Sequence, residues 1–247
     1  RPDKMLPMHK LSPLQWTLLV LLTLVWGLNW PVMKLGVTGF PPLTFRMMCL
    51  WLGVPILGMA LVVMKVPFRI PRAHWRELLV LAVFNMFIWH ALIIVAVQSL
   101  SSGRAAILGY TMPMFSALLG AFVFGDQLAK RSWAGVAAAS LGVVLLLWHE
   151  LSNLSGRPVG VLLALVAAST WALGTQLLRR TRMPVPTLAI SFWMAFLTTG
   201  VMTVLAFALE RNDWHAPSEA TWGAILFNAV LVFGFAQAAW FYLARSL

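Results

Sequence analysis

Apolar residues run along this chain in stretches of about twenty, the length a helix needs to cross the hydrocarbon core of a bilayer. Eight stretches qualify, approximately Leu14 to Gly36, Pro42 to Met64, Trp75 to Val97, Gly103 to Phe124, Ser132 to Trp148, Val159 to Leu178, Thr187 to Leu209 and Thr221 to Ala244. The segments between them are short and hold neither a Gly/Ser linker nor a low-complexity tract. The pattern therefore predicts an all-α polytopic membrane protein with one membrane domain over residues 1–247.

Composition agrees: 61% of the 247 residues are apolar and 10% are charged, whereas a soluble domain is usually about half apolar. The net charge of +11 does not point to nucleic acid, because Lys and Arg sit mostly in the short loops. Thirteen fall on one side of the bilayer, from Arg1, Lys4 and Lys10 to Arg245, against Lys34, Arg104, Arg157 and Arg211 on the other. This bias predicts a multi-pass protein of the inner or plasma membrane with a cytoplasmic N-terminus. Arg46, near the outer end of the second span, is expected to snorkel, and holding a substrate carboxylate is a secondary reading.

Some chemistry is disfavoured. Cys49 is the single cysteine, so neither an internal disulfide nor a multi-cysteine metal site is expected. All seven acidic residues fall in loops or at span ends, which leaves no mid-membrane carboxylate to relay protons or bind sodium. There is no phosphate-binding loop, no serine nucleophile with a paired base and no pair of histidines at metal spacing. The expectation is a transporter rather than an enzyme, without cofactor or metal.

The chain also matches itself. "WGLN" at Trp26 lines up with "WALG" at Trp171, an offset of 145 that also carries Pro41 onto Pro186. "HWRELLVLAVFN" at His74 lies over "TWGAILFNAVLV" at Thr221, and "AVQSL" ending at Leu100 over "LARSL" ending at Leu247. The first unit, 14–148, holds five spans. Because five is odd, the second would enter the membrane inverted. The expected parent has ten helices arranged five plus five, of which eight are present here; 159–247 supplies the first three of the second repeat and the last two are missing.

Several segments resemble the EamA family of the drug/metabolite transporter superfamily. They are "WGLNWPVMKLG" in span 1, "PPLTFRMMCLWLG" opening span 2, the run from "ALIIVAVQSL" to "AAASLGVVLL" through spans 3 to 5, and "STWALGTQLLRR" in span 6. The small-residue turn Ser101 to Gly103, Pro113 at mid-span, Asp126 where the family more often has glutamate, and Gly135 with Gly142 carry the most specific part. The resemblance implies inverted repeats around a central cavity and export of small metabolites, with YddG-type exporters of aromatic amino acids among the nearest kin. The alternatives are a drug or other metabolite exporter of the same fold, and a non-transporting receptor or assembly protein.

Depth selects the substrate-binding candidates. Trp26 and Trp171 each lie about twelve residues into their spans, near the midplane, where a tryptophan needs a partner or a cavity. Asn29, one turn from Trp26, and Asn85 and Gln237 are polar at mid-depth. His90 and Tyr110 are expected at one depth in the outer half, where they could face one another, with His90 the candidate for proton coupling. Pro113 breaks its span and gathers Tyr110, Met112 and Met114. Trp16, Trp30, Trp75, Trp133, Trp148 and Trp222 read as interface anchors, Gln176 and Asn228 as bridges between helices, and Gly103, Gly109, Gly135 and Gly142 as sites of close helix approach. Partners are the lipid bilayer and a small-molecule substrate.

Overall fold

The computed structural model describes residues 12–152 and 158–246, with the side chains at 146–147, 149–152, 241–242 and 244–246 left aside. Among the described residues every regular element is helical. The helices are α1 (Pro13–Val37), α2 (Pro42–Val63), α3 (Arg72–Ser99), α4 (Ser102–Phe122), α5 (Lys130–Ser152), α6 (Pro158–Arg180), α7 (Thr187–Glu210) and α8, which runs through Glu219–Leu226, Phe227–Ala236 and Gln237–Ser246. Seven of them are long and apolar enough to cross a membrane, and α5 covers the remaining expected stretch, Ser132 to Trp148. Arg1, Lys4, Lys10, Arg157 and Leu247, used in the sequence reading, lie outside the described residues.

Local chemistry sets where these helices start and break. Ser12 opens α1 by a reciprocal cap, its hydroxyl accepting from the Gln15 amide while the Gln15 side chain accepts from the Ser12 amide. α4 is interrupted at Tyr110 and Thr111, because Pro113 can offer no N–H to the carbonyl one turn back and its ring crowds that carbonyl. The chain restarts at Met112 with Pro113 in the first turn, where a missing donor costs nothing. Pro31, by contrast, sits inside an uninterrupted α1. α3 and α8 each widen into π-helical turns, over Ala82–Phe87 and Phe227–Ala236, a distortion that shifts side-chain register and recurs at functional sites.

The packing is reciprocal. With α6, α7 and α8 taken as counterparts of α1, α2 and α3, α1 meets α8 as α6 meets α3, α2 meets α8 as α7 meets α3, and α2 lies against α7. The main apolar core includes Phe45, Leu50, Ile93, Ile94, Val97 and Leu108. Among the expected close-approach glycines, Gly103, Gly135 and Gly142 have no described atom within 4 Å of an added Cβ, so they face open space rather than a neighbouring helix.

Polar contacts fasten both ends of the bundle. At the end carrying Gly39, the N-cap of α2 is Pro41, which has no side-chain acceptor. Glu210 of α7 supplies one: its carboxylate accepts from the amides of Leu43 (3.0 Å) and Thr44 (2.7 Å) and from the Thr44 hydroxyl (2.7 Å). An anion at the positive end of a helix, accepting from free amides, makes a strong bond in a poorly solvated place. His215 reaches the Gly39 carbonyl (3.0 Å) beside it. At the opposite end Arg180 donates to both oxygens of Asp126 (2.7 and 2.6 Å) and to Gln176, whose own amide donates to the Ser116 carbonyl (2.6 Å). Gln176 is thus a bridge between α6 and α4, as expected.

Replacing Glu210 with alanine orphans two buried amides and should cost on the order of 3 kcal/mol. Thermal unfolding in detergent is expected to show a clearly lowered midpoint for Glu210→Ala and a smaller loss for Glu210→Gln. An unchanged Glu210→Ala midpoint would contradict the contact's role.

Candidate functional site

A cavity of about 330 Å³ lies within the helix bundle, inside the range of roughly 300 to 1,000 Å³ usual for small-molecule sites. α1 contributes Trp26, Asn29, Trp30 and Met33; α2 contributes Arg46; α3 contributes Asn85, Met86, Trp89, His90 and Ile93. Tyr110 and Met112 come from the break in α4, Trp171, Thr175 and Leu178 from α6, Ser191 from α7, and Val232, Phe233, Gln237 and Trp240 from α8. Both π-helical turns thus reach the cavity, through Asn85 and Met86 on one side and Val232 and Phe233 on the other.

The walls are aromatic and interlocked. Trp26 lies against Trp240 (centroids 5.7 Å apart) and Trp171 against Trp89 (6.4 Å), so each mid-depth tryptophan of one half meets one from the other half. Trp30 packs edge-on against Tyr110 (5.8 Å) and covers Gly109, where any Cβ would run into its ring. At Gly174 the backbones of α3 and α6 touch: a Cβ there would sit 2.5 Å from the Asn85 nitrogen. That approach brings the Asn85 amide within reach of Thr175 Oγ1 (3.1 Å) and the Trp171 carbonyl (3.4 Å).

Polar atoms are less well matched here than elsewhere. Among the described residues four buried side-chain polar atoms have no hydrogen-bond partner: Asn29 Oδ1, Arg46 Nε, His90 Nδ1 and Thr198 Oγ1. The first three belong to residues that line this one cavity. Buried polar groups are normally paired, and an unpaired one is costly. Three of the four unpaired atoms thus belong to the lining of a single cavity.

Of the nine residues singled out in the sequence, Trp26, Asn29, Asn85, His90, Tyr110, Met112, Trp171 and Gln237 line this cavity. Met114 does not; it lies on the far side of the α4 break and its sulfur accepts from Ser140. His90 and Tyr110 both line the cavity, His90 with its ring against Phe233 (5.4 Å) and Tyr110 against Trp30. Trp30 is no interface anchor: it is 6% exposed. Its spacing of four from Trp26 places both on one helical face, a signal that outweighs its nearness to the span end. Arg46 does not snorkel. It is 2% exposed, on the buried face of α2 that also carries Cys49, Leu50 and Gly53. Trp89 and Trp240 line the cavity as well.

The sequence pattern of the EamA-like transporter family matches residues 14–148 and 158–247. The chain is 23% identical to the uncharacterized transporter YoaV of Bacillus subtilis (strain 168), over 93% of this chain and 79% of the relative. It is 29% identical to the uncharacterized inner membrane transporter YedA of Escherichia coli (strain K12), over 92% and 72%. A protein of Escherichia coli (strain K12) named as a probable amino-acid metabolite efflux pump is 30% identical over 64% of this chain and half its own length. One solved crystal structure superposes with a TM-score of 0.63 at 21% identity, covering 92% of this chain and 78% of that one, a likeness of fold alone.

The tight approach at Gly174 gives a signed expectation. Gly174→Ala should destabilise by about 1 to 3 kcal/mol through overpacking against backbone that cannot move aside. Gly223→Ala, with no neighbour within 4 Å, should be neutral or stabilising by about 0.5 to 1 kcal/mol through helix propensity. Thermal unfolding of the two variants in one detergent reads the difference, and equal shifts would contradict the packing.

Proposed function

This chain belongs to the EamA-like transporter family, and on that premise we propose that it exports small metabolites, chiefly apolar and aromatic amino acids, through the cavity between its helices. It is a multi-pass membrane transporter; the substrate and the route are our reading. The observation that carries it is the cavity itself, an aromatic-walled space in which Asn29, Arg46 and His90 each hold an unpartnered polar atom. Apolar walls take up a side chain, while the unpaired Asn29 acceptor and Arg46 donor are matched by an ammonium and a carboxylate. The relative named as an amino-acid metabolite efflux pump supports the same class.

We read 14–148 as one five-helix repeat and 159–247 as the first three helices of a second, inverted one. The family pattern matches in two such stretches, and the reciprocal packing of α1 with α8 and α6 with α3 favours it. In this reading the two halves rock about the cavity and open it alternately to each side. The Glu210 contact fastens one mouth and the exposed Asp126–Arg180 pair the other. The N-terminus faces the cytoplasm of an inner membrane, supported by the Lys and Arg bias and by the name of the relative YedA. Without a mid-membrane carboxylate, movement is downhill or weakly proton-linked, with His90 as the coupling candidate.

Proteoliposomes loaded with labelled phenylalanine or leucine should release it in the presence of the intact protein. Trp26→Ala and Trp171→Ala should slow release at least tenfold. Trp16→Ala and Trp148→Ala, at exposed positions, should change it less than twofold. Equal effects of the two pairs would remove the cavity from the path, and release of drugs but no amino acid would redirect the substrate class.

A further inference from the structure

Among the cavity's lining residues there is one permanent cation, Arg46, and no carboxylate. Its partners among the described residues are neutral. One terminal nitrogen donates to Asn228 Oδ1 at 3.4 Å, the other to the Met33 sulfur at 2.9 Å, and the guanidinium carbon lies 5.9 Å from the Phe233 ring centroid. Nε has no partner. A thioether and one long amide contact are weak compensation for a charge removed from water, and a buried charge ordinarily requires an opposite charge with several hydrogen bonds. A carboxylate does stand at this end of α2, but Glu210 is committed to the Leu43 and Thr44 amides. The acids at the other end are held elsewhere too, Asp126 by Arg180 and Glu77 by His74 and Thr181.

The geometry points to Arg46 as the anion-binding residue of the cavity: the transported molecule carries a carboxylate that docks on this guanidinium. The inference rests on the transporter reading of the cavity and deepens it by naming the charge its substrate must bear. A planar guanidinium with a free Nε–H can present a fork to a carboxylate. One cation matches one negative charge, which favours a monoanion over a phosphate dianion. Met33, in contact with Arg46, is four residues beyond Asn29 on α1, so the two share a face about 6 Å apart along the axis. The unpaired Asn29 Oδ1 therefore lies where it can accept from an ammonium on the same molecule, beside the faces of Trp26 and Trp30.

The test compares acids with their uncharged amides. Binding of L-phenylalanine, L-phenylalaninamide, 3-phenylpropionate and 3-phenylpropionamide to the intact protein in nanodiscs is measured by calorimetry, for the parent and for Arg46→Gln and Arg46→Lys. Each acid should bind the parent at least tenfold more tightly than its amide. Arg46→Gln should erase that preference by weakening the acids, and its circular dichroism spectrum reads whether the variant is folded. Arg46→Lys keeps the charge but loses the fork and should retain only part of the preference; should Arg46→Gln fail to fold, this reduced preference is the deciding observation. Equal binding of acid and amide to the parent, or an undiminished preference in Arg46→Gln, overturns the assignment. If phenylalanine and its amide bind equally, the amino-acid reading survives without the Arg46 role. If 3-phenylpropionate binds through Arg46 and phenylalanine does not bind at all, Arg46 stands and the amino-acid reading falls. Binding of none of the four overturns both.

Discussion

A polar group within a bilayer must find its partner inside the protein, because lipid offers none. That requirement organises this molecule. Where partners are supplied, helices are fastened: Glu210 binds the N-terminus of α2, Gln176 ties α6 to α4, and Asn85 ties α3 to α6. Where they are withheld, at Asn29, Arg46 and His90, the atoms converge on one cavity. The same rule thus separates the scaffold from the site.

The two fastenings differ in kind. The Glu210 contact is nearly buried and made to backbone amides, so opening there means stripping a carboxylate from a helix end. The Asp126–Arg180 pair is 47% and 33% exposed, and solvent screens such pairs until they contribute little. In the export cycle proposed above, the strong latch and the weak one correspond to a resting arrangement biased toward one mouth. The π-helical turns of α3 and α8 and the break in α4 lie beside the cavity.

Much of this architecture is legible in the chain. Span length and the short loops carry the eight helices, and depth counting alone brings Trp26, Asn29, Asn85, Trp171 and Gln237 to one cavity. What depth cannot supply is azimuth. Trp30 and Arg46 lie near span ends, where a bland anchoring role is the default, yet both turn inward because of the face they occupy. Met114 is lost to the site because it lies two residues past Met112, on the other side of the helix. The π-helical turns have no signal in the apolar pattern, which continues through them unbroken.

The proposed binding place for a carboxylate-bearing molecule lies among Trp26, Arg46, Trp89 and Trp171. A photoreactive phenylalanine analogue, irradiated with the protein in nanodiscs and mapped by mass spectrometry, locates it. Adducts are expected on α1, α3 and α6 within the stretches holding Trp26, Trp89 and Trp171, displaced by unlabelled phenylalanine. Adducts confined to exposed positions such as Trp51 or Trp148, or insensitive to competition, rule that place out.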